Sequence, residues 1–353
     1  MKSNWPFIQK ESIIYEGDDW PMITIITPSY NQGEYIEETI LSVLKQGYPN
    51  LEYIIIDGGS TDSTTDIIKK YEDRIAYWVS EKDKGQSDAI NKGLRKATGD
   101  VINWLNSDDY LTEGSLKTVG EVFKNKSTHC LLGRTLIFGK VEYCSMGSYY
   151  AEKLADTLKL LHIEQPATFF SRKAVEAMGE LSDRLHYIMD KEWWLKFVLN
   201  FRSEEVSSVN EILVNFRHHD SSKTVSTADK FSRDLATLFY SVCKHRDQKS
   251  LLKLIRLKFD VDQAYDFPEN IAKHIAARDF EKMTVYFLLR HFSLVFTRRD
   301  FIAAKRVNEY LSNYNLDGLS MIERHYLNRM QANTKSANWF LYRIRRKLKN
   351  LIH

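Results

Sequence analysis

Two adjacent carboxylates, Asp108 and Asp109, close an apolar run that ends at Leu105. Like charges so close together at the end of a buried strand require a cation, a proton or open water. Residues 100–105 read as a strand, which puts the pair just past its carboxyl end, where open α/β sheets bind ligands. A divalent metal with phosphate is the chemistry such a pair serves; ordinary turn chemistry also accounts for Asn106-Ser107-Asp108-Asp109 taken alone. Two more loops, residues 27–31 and 57–60, follow strand-like runs and should emerge on the same sheet edge. Between them they offer a further carboxylate, Asp57, and the small residues Gly58 and Gly59, a set suited to the base, ribose and phosphates of a nucleotide. A dinucleotide oxidoreductase shares such a layout, but Thr27-Pro28-Ser29-Tyr30-Asn31 has none of the glycines of a GxGxxG turn, and no GxxxxGK[ST] phosphate loop occurs.

The elements that must position these loops alternate. Met22 to Thr27 is a compact β-branched run, as expected for a strand buried on both faces. Ile36, Ile40, Val43 and Leu44 then recur at helical spacing until Gly47 and Pro49 stop them. Residues 51–56 repeat the strand, with Ser60 or Thr61 placed to cap a helix running to Tyr71. A third strand at 75–79, a charged loop at 81–86 and a helix at 87–97 lead into the strand before the aspartates. Parallel neighbours need a crossover, so this alternation predicts an α/β fold, a mixed, mostly parallel sheet with helices on both faces. Past a helix to about Lys124, strand-like runs at 130–138 and 140–143 loosen the pattern. Helices are expected from Arg172 and from Met189, and residues 230–342 are helical in period.

These readings divide the chain into a short extension (1–21), a nucleotide-binding half (22–110), an acceptor-binding half (111–226) and a helical region (227–353). With 50 Lys plus Arg against 47 Asp plus Glu, the net charge of +3 points to no polyanionic partner, and nucleic acid is not expected. Cys130, Cys144 and Cys243 match no zinc or redox spacing, which suits a reducing compartment. Residues 1–10 lack the apolar stretch of a signal peptide and no run reaches the roughly 20 apolar residues of a spanning helix, so a cytoplasmic or peripheral protein is expected. In the tail, Phe340, Ile344, Leu348 and Leu351 share one helical face while Arg343, Arg345, Arg346, Lys347 and Lys349 lie largely elsewhere. That is the pattern of an interfacial helix, and equally of a terminal helix docked on its own domain.

Taken in order, Pro28-Ser29-Tyr30-Asn31, Asp57-Gly58-Gly59-Ser60-Thr61-Asp62, residues 88–93 and Asn106-Ser107-Asp108-Asp109 resemble the motif series of family 2 glycosyltransferases, which have the GT-A fold. The resemblance covers about residues 22–220 and implies an inverting transfer from a nucleotide-diphosphate sugar, a UDP-sugar first, with Mn²⁺ or Mg²⁺ as cofactor. It implies a metal-binding role for Asp109, with Asp108 on the ribose or a metal-bound water, and base recognition by Asp57. Pro28, Tyr30, Asn31, Lys84 and Asp88 would contact the nucleotide; Lys84 and Asp88 equally suit a solvated charged loop. Asp190 would be the base that takes the acceptor's proton, with Glu192 as fallback, although a helix cap also explains an Asp there. The family commonly writes two acids at that point, and Met189 replaces the first.

His219, in Phe216-Arg217-His218-His219, would be a further metal ligand, since imidazole suits Mn²⁺ beside carboxylates; a surface histidine is the plain alternative. Gln165, Glu192 and Trp193 would border the acceptor, Gln165 being equally a strand start. The implied partners are a nucleotide-sugar donor and a saccharide or lipid-linked glycan acceptor in surface-polysaccharide assembly, of capsule or O-antigen type. Lipid-linked acceptors favour the membrane reading of the tail, which would hold the protein at the inner face of the cell membrane. The alternative from another class is a non-catalytic nucleotide-sugar or glycan-binding partner with the same fold.

Overall fold

The computed structural model describes Pro6 and residues 13–219, 228–292, 301–314, 316 and 319–334. Two compact units form: residues 1–152 with 161–231, and residues 153–160 with 232–353.

The first unit is built on one sheet of nine strands. β1 (Ile23–Ser29), α1 (Ile36–Leu44), β2 (Leu51–Asp57), α2 (Thr64–Lys69), β3 (Tyr77–Ser80), α3 (Gln86–Lys96) and β4 (Val101–Trp104) follow the expected alternation, and these four strands are parallel in the order β3-β2-β1-β4. Every residue of β1 is buried, so its side chains alternate between two covered faces. Ile23 and Ile25 join Ile36, Ile40 and Val43 of α1 in one core, together with Trp20 from the segment before the strand. Ile26 faces the other way onto α3, and the approach is close: a Cβ at Gly93 would fall 2.4 Å from Ile26 Cγ2. Helices therefore cover both faces. α2 starts at Thr64, later than Ser60 or Thr61, because the hydroxyl and N–H of Ser60 go to Asp57 while Asp62 Oδ1 accepts the N–H of Thr64.

The remaining strands make the sheet mixed. β5 (Tyr110–Leu111), α4 (Ser115–Phe123), β6 (Cys130–Gly139), β7 (Tyr143–Cys144), α5 (Leu154–Leu160), β8 (Thr168–Ser171), α6 (Arg172–Met178), α7 (Met189–Asn200) and β9 (Val206–His218) follow in turn. β8 runs antiparallel between β4 and β6, and β9 lies parallel to β6 and antiparallel to β5. α7 is buried over most of its length, Trp193, Trp194 and Phe197 being 0–1% exposed.

The second unit is helical, with helices Lys249–Lys258, Glu269–His274, Ala277–Phe287, Phe301–Leu311 and Met321–Thr334 beside most of Ala228–His245. Residues 153–160, placed by sequence in the acceptor-binding half, group here instead. α5 packs on helix Ala277–Phe287, and its Lys159 Nζ lies 2.7 Å from the buried Glu323 carboxylate. Among the described residues no helix is long and apolar enough to cross a membrane. The basic tail, 335–353, lies outside the described residues.

Candidate functional site

At the carboxyl edge of the parallel strands, the first two loops are knitted together by their own side chains. Asn31 takes the left-handed conformation (φ 51°), its N–H donates to Ser60 Oγ at 2.7 Å, and its Oδ1 accepts from the Thr61 N–H at 2.9 Å. The Gly33 N–H donates to Asp62 Oδ2 at 2.9 Å and the Gly58 N–H to the Ser29 carbonyl at 2.8 Å. Asp57 is wholly buried: its carboxylate accepts from the N–H groups of Gly59 and Ser60 and from the hydroxyls of Ser60 and Ser80. Four donors inside its own loop and the adjoining strand occupy it, so Asp57 shapes the loop. A Cβ at Gly58 would meet Asp83 Oδ2 at 2.6 Å, so a larger residue there would have to displace the Asp83 side chain.

These loops form one wall of a cleft of about 780 Å³. Pro28, Ser29, Tyr30, Gln32, Gly58, Gly59, Lys82, Asp83 and Gln86 line it from the parallel half; Asp108, Gln165, His186, Tyr187, Met189, Asp190, Phe216, His219 and Phe231 line it from the mixed half. Of the expected nucleotide contacts, Pro28, Tyr30 and Asp108 are therefore at the cleft and Asn31, Asp57, Lys84 and Asp88 are not. Asp88 instead accepts the Lys84 N–H at 3.1 Å, closing the start of α3, and Lys84 is exposed. Lys82, two residues earlier in the same charged loop, is the lysine that reaches the cleft wall.

The pairing of β5 with β9 decides what surrounds the two aspartates. Tyr110 lies opposite Asn215, so the residues just before β5 meet those at the end of β9, and Arg217 and His219 arrive beside Asp108 and Asp109. The two carboxylates part company. Asp109 is 1% exposed; it accepts the Arg217 N–H at 2.9 Å, and it does not line the cleft. Burial, and then the charge of Asp108, push its carboxyl well above the usual carboxylate range. Asp108 faces the cleft with its Oδ2 3.0 Å from His219 Nε2. Arg217 binds the Asp108 carbonyl through Nε at 3.1 Å, pairs with Glu38, and lies over the rings of Tyr35 and Phe138. Sequence reading passed over Arg217 as a site residue, although its place two residues before His219 on a strand puts both on one face.

Carboxylate and imidazole are a fitting donor pair for Mn²⁺. Neighbouring ligands of an octahedral ion with bonds of about 2.1 Å are about 3 Å apart, and the Asp108–His219 separation of 3.0 Å already has that span. Of the two aspartates, Asp108 is the one whose carboxylate stands beside an imidazole at the cleft. Among the described residues no group of three or more His, Cys, Asp or Glu side chains could hold an ion, so other ligands would come from phosphate and water.

Across the cleft, Asp190 stands in the first turn of α7, where the helix dipole favours an anion. Its Oδ1 accepts the Lys191 N–H at 2.9 Å. Burial pushes its carboxyl above the usual range, and the Lys191 charge, main-chain N–H groups and His162 pull the other way. Gln165 also lines the cleft, its Nε2 held by Asn103 Oδ1 at 2.9 Å and the Trp104 carbonyl at 2.8 Å. Glu192 and Trp193 do not. Glu192 is 2% exposed and ion-paired with Lys196 at 2.8 Å; Trp193 is 1% exposed, donates to the Gly179 carbonyl and packs on Trp104 and Phe170. A helix buried on nearly every side turns these residues into the core and leaves its first turn at the cleft. His186, Tyr187 and Phe231, which no sequence motif marked, complete that wall.

Comparison with known proteins bears on this arrangement. The family profile described as Glycosyl transferase family 2 matches residues 24–179. An uncharacterized glycosyltransferase of Rickettsia typhi is 31% identical over 218 residues, 59% of this chain and 67% of the relative. TuaG of Bacillus subtilis, a glycosyltransferase provisionally named for teichuronic acid biosynthesis, is 41% identical over 110 residues, 30% of this chain and 44% of TuaG. The crystal structure of S. aureus TarS 1–349 superposes with a TM-score of 0.57 at 19% identity, covering 89% of each chain, and so shares the fold.

Proposed function

Because this chain belongs to glycosyl transferase family 2, we propose that it moves a sugar, with inversion, from a nucleotide-diphosphate donor to a saccharide or lipid-linked glycan acceptor in surface-polysaccharide assembly. One observation carries the reading: Asp190 and the Asp108–His219 pair lie on the walls of a single cleft. Asp190 takes the proton of the acceptor hydroxyl as that oxygen bonds the donor's anomeric carbon, and the bond from this carbon to the diphosphate breaks on the far side. A carboxyl raised by burial is a stronger base than an exposed one, and base catalysis of this kind is worth about 10² to 10⁴ in rate. When bound, a divalent ion held by Asp108 and His219 supplies positive charge to the departing diphosphate. Arg217 and Asp109 fix β9 against the aspartate loop, so the Asp108–His219 spacing is set before substrate arrives. Gln165, held through its nitrogen, keeps its oxygen for a sugar hydroxyl.

The named role of TuaG supports the surface-polysaccharide part of this reading, and the known TarS complex with UDP-GlcNAc makes that sugar the first donor to try. The test is release of nucleotide from a panel of UDP- and GDP-sugars, with and without Mn²⁺. Release from one donor, raised by Mn²⁺, is expected. Nucleotide binding without turnover across the panel would point to the non-catalytic binding protein instead.

A further inference from the structure

Lys191, immediately after Asp190, has no place in the chemistry above, yet its side chain is committed. Its Nζ donates to the Leu161 carbonyl at 2.8 Å, thirty residues earlier in the chain. Leu161 is buried and holds a positive φ of 40°, a region that side chains other than glycine seldom occupy. It is the first residue of the sheet unit after the excursion of 153–160, and four residues later the chain reaches Gln165 in the cleft. The main-chain N–H of Lys191 meanwhile donates to Asp190 Oδ1. One residue thus ties the Asp190 carboxylate to the segment that carries Gln165.

We propose that Lys191 is a positioning residue, holding Asp190 aimed into the cleft and ionised, with the turn at Leu161 as its anchor. This rests on the reading of Asp190 as the acceptor's base. A carboxylate works as a base only while deprotonated, and burial opposes that state. The groups that act on Asp190 are Lys191 on its own helix, the first-turn N–H groups of α7, and His162 from the Leu161–Gln165 segment, whose Nε2 is 3.5 Å from Glu164. His186 lines the same cleft. Of the charged groups Lys191 acts most strongly, so its removal should move the carboxyl upward, the direction that removes base at neutral pH.

The experiment is a ¹³C-carboxylate NMR titration of the full chain, the Asp190 resonance being assigned by its loss in Asp190→Asn. In Lys191→Gln, which keeps a donor for the Leu161 carbonyl and removes the charge, the titration midpoint should rise by about one pH unit. Lys191→Arg should return it toward wild type, and Lys191→Met repeats the measurement without a donor. In Lys191→Gln the acid limb of nucleotide release should move up with the midpoint, the donor KM staying within about twofold of wild type. An unmoved midpoint in both Lys191→Gln and Lys191→Met would overturn the proposal while leaving Asp190 as base. If Asp190→Asn turns over like wild type, the reading of Asp190 itself falls, and this proposal with it.

Discussion

The two halves of the cleft are built by different means. In the parallel half the loops after β1 and β2 hold one another through short side chains, and the acid between them, Asp57, is consumed in doing so. In the mixed half the acids at the cleft, Asp108 and Asp190, each have a buried acidic neighbour that does the structural work: Asp109 takes the N–H of Arg217 and Glu192 pairs with Lys196. An acid's sequence neighbourhood therefore says less about its place than its burial, Asp57, Asp109 and Glu192 being at most 2% exposed. Asp57, Asp109 and Glu192 are buried in the scaffold, whereas Asp108 and Asp190 stand at the cleft wall.

Variants that swap or separate these roles can break the contrast. The largest effect is expected from Asp190→Asn, which should lower transfer by about 10² to 10⁴ while the donor KM stays within about twofold; near-normal turnover would remove Asp190 from the reaction. Next comes Glu192→Gln, which strands the buried Lys196 ammonium and should cost about 3 to 5 kcal/mol of stability in denaturant unfolding. The acid limb of its rate profile should stay where wild type has it, and a limb that moves would give Glu192 a share in proton transfer. Asp108→Asn should lose about tenfold or more of the Mn²⁺-dependent gain in nucleoside diphosphate affinity, read by calorimetry, and Asp109→Asn should keep most of it. The reverse order would return the metal to Asp109. Smallest is the lysine pair: Lys82→Ala should weaken nucleoside diphosphate binding by roughly threefold and Lys84→Ala by less than about twofold, in keeping with exposed cations.

The strand and helix alternation up to β4 was legible because period and loop chemistry agree there, residue by residue. Which of two adjacent aspartates turns to the cleft was not. The choice is made by the Arg217 N–H that β5–β9 pairing delivers to Asp109, a contact between residues 108 positions apart. Glu192 and Trp193 were misplaced for a related reason: a helix buried almost all round has no polar face from which to read direction. Lys82 and Lys84 are separated only by the shape of a short charged loop, on which periodicity is silent. Residues 153–160 fell within the acceptor-binding half by sequence, because the packing that claims them comes from helix Ala277–Phe287, more than a hundred residues on.

The Asp108–His219 pair also sets a point in time. Its members are 111 residues apart in the chain, whereas Asn31 and Ser60, which join the loops of the parallel half, are 29 apart. Contacts between distant residues carry a larger loop-closure cost and tend to form late. During synthesis the parallel wall of the cleft can assemble while β9 is still to be made, and the Asp108–His219 pair closes only when the last strand docks. Acquisition of Mn²⁺ during refolding should therefore lag behind the folding of β1 to β4 and report completion of the whole sheet.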